Sequence, residues 1–394
     1  MEKLECLLSP FKNGCPNWRR AKSYDHGNVE GLFFESLAGP GGASSETFAY
    51  IGMPRGAGDL AESVPGIVLV HGGGGSAFAE WVELWNERGY AAIAVDLEGQ
   101  VPIRDEDGRW RRHARGGPSR KGVFEDIDLP LREQWMTHAL AGVLAARSLL
   151  ASRGIRSERI GLTGISWGAV VAAVAAGMQP DFAFAAYVYG CGYLSDSSGA
   201  ISSGWTERKR QWDPARYIEN ASMPVLWVNG DGDSHFSLDC TTRTHSTAGT
   251  RSSLTIIPGL GHSHRHGWSP AEIGVFADSI VLGGEKPPSV SSAEIILLHS
   301  ETSVEYDAAG DLYALRVRTD RPIMEAEWWS SDEAIRYDNV DRTRCLNKWT
   351  KTPVPEATGR REWVTPFPQG KAAYLNMKDA RGCITSIGLM RPPR

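Results

Sequence analysis

Apolar and polar runs alternate along residues 31–283 with two different periods. Several short runs, among them GIVLV, YAAIAVDL, RIGLTGI and PVLWVNG, are apolar almost throughout, as is usual for strands covered on both faces. Between them lie longer stretches with apolar residues three or four apart, such as 131–153, and an alanine-rich stretch after Ser166, which are typical of helices. The alternation predicts an α/β fold with a mostly parallel sheet flanked by helices.

The pattern changes after residue 283. The segment 284–293, GEKPPSVSSA, is rich in Gly, Pro and Ser and has no periodicity, which predicts a linker. Beyond it, alternating runs such as LYALRVRT, MEAEWW and AAYLNMK are separated by turn residues. We therefore expect an N-terminal extension over 1–30, an α/β domain over 31–283, the linker, and a small immunoglobulin-like β-sandwich over 294–394.

The composition is that of an ordinary globular protein, with 41% hydrophobic and 23% charged residues. A formal net charge of -5 without long blocks of like charge argues against a nucleic-acid partner. No apolar run reaches the roughly 18–20 residues of a membrane span, and the apolar stretch before Pro10 is too short for a signal peptide, so we expect a cytoplasmic protein without a membrane partner. The six cysteines lack a C-x-x-C pair, which favours free thiols, although Cys345 and Cys383 could meet within the C-terminal part.

The stretch GISWG, residues 164–168, holds a serine between two glycines where a strand-like run gives way to a helix-like one. Glycine is less favourable than alanine in either element by roughly 0.5–1 kcal/mol, so its presence indicates a backbone requirement. G-x-S-x-G at a strand-to-helix junction is the pattern of a nucleophile elbow, a strained turn that exposes the serine hydroxyl. The pattern predicts Ser166 as a nucleophile, with the Trp167 N–H directed at a developing oxyanion.

A serine nucleophile requires a histidine base and a carboxylate that orients it. The runs PVLWVNG and SLTIIPG are each followed by a polar loop, and these loops carry Asp231 and Asp233, and His262. The chain order Ser, Asp, His is the one used for this chemistry in α/β sheets. His262 is the expected base. The choice between the two aspartates stays open here, although the Asp-Gly pair at 231–232 is typical of a residue that only shapes a turn.

The run VLVHGGGG ends a predicted strand at His71 and opens into four glycines at 72–75. Glycine lets backbone N–H groups approach a substrate carbonyl closely, and loss of one such donor lowers the rate by about 10²–10³. We expect the N–H groups of Gly73 and Gly74 to complete an oxyanion hole, with His71 bracing the loop. A phosphate-binding loop is the alternative, and it is disfavoured because neither G-K-[ST] nor G-x-G-x-x-G follows.

Further histidines raise the question of a metal. His262, His264 and His266 alternate, so on an extended strand they would share one face and suggest a metal site. No fourth ligand cluster accompanies them, and His262 is already needed as a base. We therefore expect no metal and no other cofactor.

Tryptophans supply the remaining candidates. Trp110, Trp205, Trp212 and Trp268 fall where loops near the active face are expected, and indole rings stack well on sugar rings and apolar acyl groups. Two of them lie in the polar insertions IRDEDGRWRRHARGGPSRKG and SDSSGAISSGWTERKR, which we expect to form loops over the pocket. These four residues are candidate substrate contacts.

The motifs HGGGG at 71–75, GISWG at 164–168, NGDGD at 229–233 and GLGHSH at 259–264 resemble those of the α/β-hydrolases, within them the group of dienelactone hydrolases, acetyl xylan esterases and prolyl-oligopeptidase-like enzymes. The resemblance covers roughly residues 31–283. It implies a Ser-His-Asp triad and favours Asp233 as the acid, because the family's acid usually lies three residues after a glycine such as Gly230. Dienelactone hydrolases proper have a cysteine nucleophile, and the serine of this chain points to ordinary esters.

Three functions follow from these residues. The first is a serine esterase that acts on carboxylic esters through an acyl-enzyme, with acetyl esters of carbohydrates as one candidate class. The second is a peptidase of the prolyl-oligopeptidase-like type, although the large propeller of those enzymes has no counterpart here. The third is a binding or scaffold protein with a relic triad. Small-molecule or carbohydrate esters are the expected partners, and the oligomeric state stays open.

Overall fold

The structure is a computed structural model that describes residues 3–56, 63–298, 312–338 and 345–391. Up to residue 283, the described chain forms eleven strands, which are β1 (Trp18–Arg20), β2 (Glu30–Ser36), β3 (Ser45–Gly52), β4 (Gly66–Val70), β5 (Ala91–Val95), β6 (Gln100–Arg104), β7 (Trp110–Arg112), β8 (Ile160–Ile165), β9 (Ala185–Val188), β10 (Val225–Gly230) and β11 (Ser252–Ile257). The helices are α1 (Leu4–Asn13), α2 (Ala79–Glu87), α3 (Trp135–Ser152), α4 (Trp167–Met178), α5 (Leu238–Ala248), α6 (His264–Trp268) and α7 (Ala271–Val281).

Nine of these strands form one sheet in the order β1-β2-β3-β5-β4-β8-β9-β10-β11. The six strands from β5 to β11 in this order run parallel, while β1, β2 and β3 form an antiparallel edge. The predicted α/β fold is confirmed. Because the carboxyl ends of parallel strands share one edge of a sheet, the loops after β4, β8, β10 and β11 converge there.

The sequences of helices α3 and α4 show little contrast between an apolar and a polar face, because both helices are buried on nearly all sides. Nearly every residue of both is buried, since they pack against the sheet and against each other. The apolar stretch AVVAAVAAGM is thus a core helix. Within the described residues, we find no helix with the length and apolar character needed to cross a membrane.

The N-terminal segment that the sequence sets apart as an extension contributes directly to the α/β core. Helix α1 packs against α3 and buries Leu7 and Leu8, and β1 pairs with β2 through Trp18 and Phe34. The strand is only three residues long and its side chains are exposed, so it carries no apolar periodicity that the sequence could reveal.

The first polar insertion, expected to be a loop, is partly ordered as a β-hairpin. Strands β6 and β7 pair antiparallel and form a separate two-stranded sheet. The second insertion consists of short 3₁₀ turns, among them Ala200–Gly204 and Arg208–Trp212.

Among the described residues, seven further strands follow in two antiparallel sheets, and the first begins at Val290, inside the segment 284–293 predicted as a linker. They are β12 (Val290–Leu298), β13 (Leu312–Ile323), β14 (Glu325–Ser331), β15 (Thr350–Pro353), β16 (Arg360–Pro366), β17 (Ala372–Lys378) and β18 (Ile384–Met390). The sheets have the orders β12-β13-β16 and β15-β14-β17-β18. Side chains from both sheets, including Val317, Trp328, Trp363 and Leu375, share one buried core. All six cysteines are free thiols, so Cys345 and Cys383 do not pair.

The C-terminal part covers the outer edge of the large sheet. Strand β11 is an edge strand, and an exposed edge leaves backbone groups unpaired. Here the Ile256 N–H donates to Ser386 Oγ at 2.8 Å, and the Ile256 carbonyl accepts from Asn376 Nδ2 at 2.9 Å. Ser386 Oγ in turn donates to Asn376 Oδ1 at 2.6 Å. Two buried polar side chains therefore satisfy both backbone groups of Ile256 at this edge.

We predict that Asn376→Ala destabilises the protein by about 1–3 kcal/mol for each buried group that it leaves unsatisfied. Asn17→Ala is the matched control, because Asn17 Nδ2 donates to Glu35 Oε2 at an exposed site. Denaturant unfolding measures both. Equal unfolding midpoints for the two variants would show that the covered edge adds little stability.

Candidate active site

Ser166 occupies a sharp turn between β8 and α4. Its backbone has φ 56° and ψ −121°, a region that non-glycine residues rarely adopt. A Cβ on Gly164 would lie 2.3 Å from the Gly168 carbonyl oxygen, and a Cβ on Gly168 would lie 2.1 Å from the carbonyl oxygen of Val70. Neither position has room for a side chain. This steric limit is the backbone requirement that the two glycines of GISWG indicate.

The structure brings Ser166, His262 and Asp233 into one hydrogen-bonded chain. Ser166 Oγ lies 2.9 Å from His262 Nε2, and His262 Nδ1 lies 2.7 Å from Asp233 Oδ2. Because a carboxylate only accepts, Nδ1 carries the proton and Nε2 is free to accept from the serine hydroxyl. The arrangement is that of a nucleophile, a base and an orienting acid.

Asp233 is fixed by its own backbone contacts. Its Oδ1 accepts from the N–H groups of His235 and Phe236, both at 2.9 Å, while Oδ2 faces the imidazole. Asp231 points elsewhere, since its Oδ1 accepts from the Gly259 N–H at 2.8 Å and its Oδ2 from the Tyr374 hydroxyl at 2.9 Å. Of the two aspartates, only Asp233 contacts His262 in this structure.

Two aromatic rings pack against the His262 imidazole. Tyr189 stacks on it with ring centroids 4.5 Å apart, and His235 lies at 4.8 Å. The Tyr189 hydroxyl donates to the Gly261 carbonyl at 2.6 Å, which ties the histidine loop to the end of β9. Burial, followed by the proximity of the His262 imidazole, lowers the pKa of His235. Sequence reasoning missed both residues, because neither belongs to a motif.

The glycine loop at 72–75 lies directly against the elbow. A Cβ on Gly72 would be 3.0 Å from Ser166 Cβ, and one on Gly73 would be 3.0 Å from Trp167 Cδ1. The Gly72 N–H donates to His264 Nε2 at 3.0 Å, and the Gly75 N–H donates to the Gly72 carbonyl at 3.1 Å. In the described part of the chain, no acceptor takes the N–H groups of Gly73 and Gly74.

His71 anchors the base of this loop. Its Nε2 accepts from the Leu97 N–H at 2.9 Å, so its Nδ1 carries the proton and donates to the Gly72 carbonyl at 2.7 Å. The side chain thus links the loop after β4 to the loop after β5. His71 braces the glycines, as expected from its place at the end of a strand.

The alternating histidines do not form an extended strand. His264 and His266 lie in the short helix α6, where His264 binds the glycine loop and His266 Nδ1 pairs with Ser263 Oγ at 2.8 Å. The His262-His264-His266 arrangement considered for a metal therefore does not occur. Among the described residues, three potential ligand atoms within 4.8 Å of one another come from Asp233, His235 and His262. Two of these three groups already bond to each other in the hydrogen-bonded chain.

The four tryptophans have different environments. Trp110 lies in β7, donates to the Gly74 carbonyl at 3.0 Å and stacks under the Arg104 guanidinium at 3.8 Å. Trp268 packs on Phe78, with ring centroids 5.5 Å apart. Trp205 is partly buried and packs on Phe124, whose ring also contacts Trp167.

The structure contradicts the expectation that Trp212 contacts a substrate. It is 1% exposed, and its indole N–H donates to Gln134 Oε1 at 2.8 Å. A side chain enclosed in this way is part of the core and does not reach a substrate. Its position directly after a polar insertion gave no indication of burial.

Two grooves adjoin the glycine loop at Gly74. One, of about 770 Å³, is lined by Phe78, Trp268 and His264 together with Glu80 and Glu83 of α2. The other, of about 700 Å³, follows the β6–β7 hairpin and includes Trp110. On the elbow side, Arg120 lies 4.4 Å over the Trp167 ring, and burial lowers the pKa of its guanidinium. The site is therefore bordered by aromatic and charged side chains.

Burial lowers the pKa of His264 from 6.5 to about 4, so the folded protein holds this imidazole neutral. The unfolded chain takes up the proton near pH 6.5 and the folded chain does not, so stability falls as the pH drops from about 6.5 towards 4. His264→Gln should flatten this dependence by up to about 1.4 kcal/mol per pH unit. Unfolding curves across this pH range measure the slope.

His245 of α5 is a positive control, because burial also lowers its pKa to about 4. His245→Gln should flatten the slope in the same way. A slope that changes in His245→Gln but not in His264→Gln would show that His264 is protonated in the folded protein.

Comparisons with known proteins assign a family to this part of the chain. The family model of the dienelactone hydrolase family matches residues 48–270, which include the glycine loop, the elbow and both loops of the acid and the base. A comparison with curated protein sequences found no match.

Solved structures with the same fold include an acetyl xylan esterase from Paenibacillus sp. R4, which is 16% identical at a TM-score of 0.52 over 66% of this chain and 87% of that one. A puromycin-hydrolyzing peptidase of Mycobacterium tuberculosis is 20% identical, with a TM-score of 0.49 over 69% of this chain and 40% of that one. At such identities, the first likeness establishes the α/β-hydrolase fold alone. The family model spans more than half of the chain, so the protein is a hydrolase-fold member of the dienelactone hydrolase family.

Proposed function

We propose that the protein is a serine esterase that hydrolyses carboxylic esters through an acyl-enzyme. The observation that carries the proposal is the unbroken chain of hydrogen bonds from Ser166 Oγ through His262 to Asp233, with separations of 2.9 and 2.7 Å. Nucleophile and base are within the distance that proton transfer requires. The serine in the family's nucleophile position supports ordinary esters as substrates.

In the first half of the reaction, Ser166 Oγ attacks the ester carbonyl carbon while His262 Nε2 accepts the hydroxyl proton. The tetrahedral intermediate collapses with loss of the alcohol, which receives that proton from the imidazole. Water then enters, gives a proton to His262 and attacks the acyl carbon. The second intermediate collapses to the free acid while Ser166 Oγ takes the proton back from the imidazole. Asp233 stabilises the imidazolium in both halves.

The N–H groups of Trp167, Gly73 and Gly74 are proposed to bind the oxyanion of the tetrahedral intermediate. Two features support this. Trp167 is the first residue of α4, so its N–H has no partner within the helix. In the glycine loop, Gly72 and Gly75 have internal acceptors, which leaves Gly73 and Gly74 as the available donors. Such donors act on the charge that develops in the transition state.

Acetyl esters of carbohydrates are the first substrate class to test. Trp110 and Trp268 border the two grooves beside Gly74, where a sugar ring could stack on an indole face. Carboxylates of α2 in the larger groove could accept hydrogen bonds from hydroxyl groups. The residues that support this class are therefore on the rim and not at the reacting centre.

We expect wild-type protein to hydrolyse p-nitrophenyl esters, and Ser166→Ala to abolish this activity with little change in the melting curve. The loss for such a nucleophile is about 10⁶-fold. Retention of more than about a thousandth of the wild-type rate would contradict the assignment. A panel from acetate to decanoate, with acetylated xylan and peptide amides beside it, distinguishes the esterase from the peptidase. No reaction with a serine-directed phosphonate would favour a binding protein.

Asp233→Asn and Asp231→Asn form a second, internally matched test. Asp233→Asn should lower kcat by about 10⁴, because the amide cannot orient the same imidazole tautomer. Asp231→Asn should cost far less, since an amide can still accept from the Gly259 N–H and bond to the Tyr374 hydroxyl. The reverse ranking of the two rates would assign the acid to Asp231.

A further inference from the structure

The loop that carries Asp231 and Asp233 is held from outside the α/β domain. The Tyr337 hydroxyl donates to the Asp233 carbonyl at 2.7 Å, and the Trp349 indole N–H donates to the Asp231 carbonyl at 3.2 Å. The Tyr374 hydroxyl donates to Asp231 Oδ2 at 2.9 Å. All three donors lie beyond the linker. The C-terminal part thus makes three hydrogen bonds to a loop of three residues.

These contacts are enclosed. Tyr374 is 0% exposed and Tyr337 is 7% exposed, while Asp231 and Asp233 are 7% and 4% exposed. Burial raises the pKa of both tyrosines, so their hydroxyl groups remain donors. A buried acceptor that loses its donor is not readily compensated by water. The loop therefore depends on these particular side chains.

Neighbouring rings hold Tyr374 in place. Trp329 of β14 stacks parallel to it with centroids 6.2 Å apart, and Trp349 meets it edge to face at 5.0 Å. Each ring is part of the C-terminal sheet or its adjoining loop. The donor geometry is consequently set by the packing of that sheet.

Asp231 also connects the C-terminal part to the loop that carries the base. Its Oδ1 accepts from the N–H of Gly259, which opens the loop that carries His262. One carboxylate thus ties the acid loop, the base loop and the C-terminal sheet together. A shift of Asp231 would alter the separation of Asp233 and His262, which is 2.7 Å between Oδ2 and Nδ1.

We propose that Tyr337, Trp349 and Tyr374 are positioning residues for the reaction, and that the C-terminal β-sheet completes the catalytic site by fixing Asp233 against His262. The three residues touch neither the serine nor the reacting atoms. The proposal rests on the proposed esterase function and assigns the C-terminal part a role beyond covering the sheet edge.

The test uses Tyr337→Phe and Tyr374→Phe in the full-length protein. Each variant removes one hydroxyl and keeps the ring. Trp328→Phe is the matched control, because Trp328 is 2% exposed and its indole N–H donates to Thr365 Oγ1 within the C-terminal part. With p-nitrophenyl acetate, we expect each tyrosine variant to lower kcat about tenfold with little change in KM, which is the pattern of a lost transition-state interaction. Trp328→Phe should keep kcat within about twofold at a comparable loss of melting temperature.

A double-mutant cycle identifies the route of the effect. If the tyrosines act through Asp233, then Tyr374→Phe should change kcat by less than about twofold in an Asp233→Asn background. Multiplicative losses in the cycle, or a kcat that follows melting temperature in all variants including Trp328→Phe, would overturn the proposal and leave the sheet a stabilising role only.

Two checks keep the outcome interpretable. Should Tyr374→Phe fail to fold, Tyr337→Phe and Trp349→Phe carry the same test, since each removes a single donor to the acid loop. Failure of the esterase function is recognised separately, because wild-type protein would then show no turnover that depends on Ser166. If the wild-type protein is active but the losses of kcat in the cycle are multiplicative, the positioning role is contradicted and the esterase function is not.

Discussion

The close approach of α4 to the end of β4 is the constraint on which the site depends. At Gly168, the space that a Cβ would need is already occupied, because the Val70 carbonyl oxygen is 2.1 Å from that position. Helix α4 begins one residue after β8 ends, so the chain turns sharply at this close approach. Ser166, the residue between the two elements, has a positive φ of 56°. Strain of this kind persists where the surrounding packing determines it. Here that packing is an almost fully buried helix on a parallel sheet.

Once the elbow is fixed, hydrogen bonds from buried and partly buried side chains join the remaining loops to it. His71 and His264 each accept a backbone N–H, and together they fix the entry to the glycine loop. Tyr189 stacks on His262 and binds its loop through a hydroxyl-to-carbonyl bond. Because buried polar groups are costly without partners, these bonds favour one loop arrangement over its alternatives. The preorganisation of the site is therefore a consequence of hydrogen-bond satisfaction in the loops.

The C-terminal part meets the α/β domain along β11 and the acid loop. Ser386 and Asn376 bond to the edge of β11. Tyr374, two residues before Asn376 on β17, donates to Asp231. A single docking surface thus covers a sheet edge and contacts the loops of the acid and the base. Removal of apolar contacts there would affect folding and geometry together, which is why matched substitutions within the buried core are needed to separate the two.

The sequence by itself determined the α/β alternation, the elbow at Ser166, the glycine loop and the order of acid and base, because each depends on local periodicity or on glycine at a sterically restricted position. It did not determine the strand character of residues 18–20, the burial of Trp212 or the helical placement of His264 and His266, since these follow from contacts with distant segments. The family resemblance favoured Asp233 over Asp231 and the tertiary structure shows the contact with His262, whereas only the tertiary structure brought Tyr337 and Tyr374 to the acid loop. The physical reason is that hydrogen bonds and burial between residues far apart in the sequence leave no periodic trace in the chain: Asp233 and His262 are 29 positions apart, and Asp231 and Tyr374 are 143 positions apart.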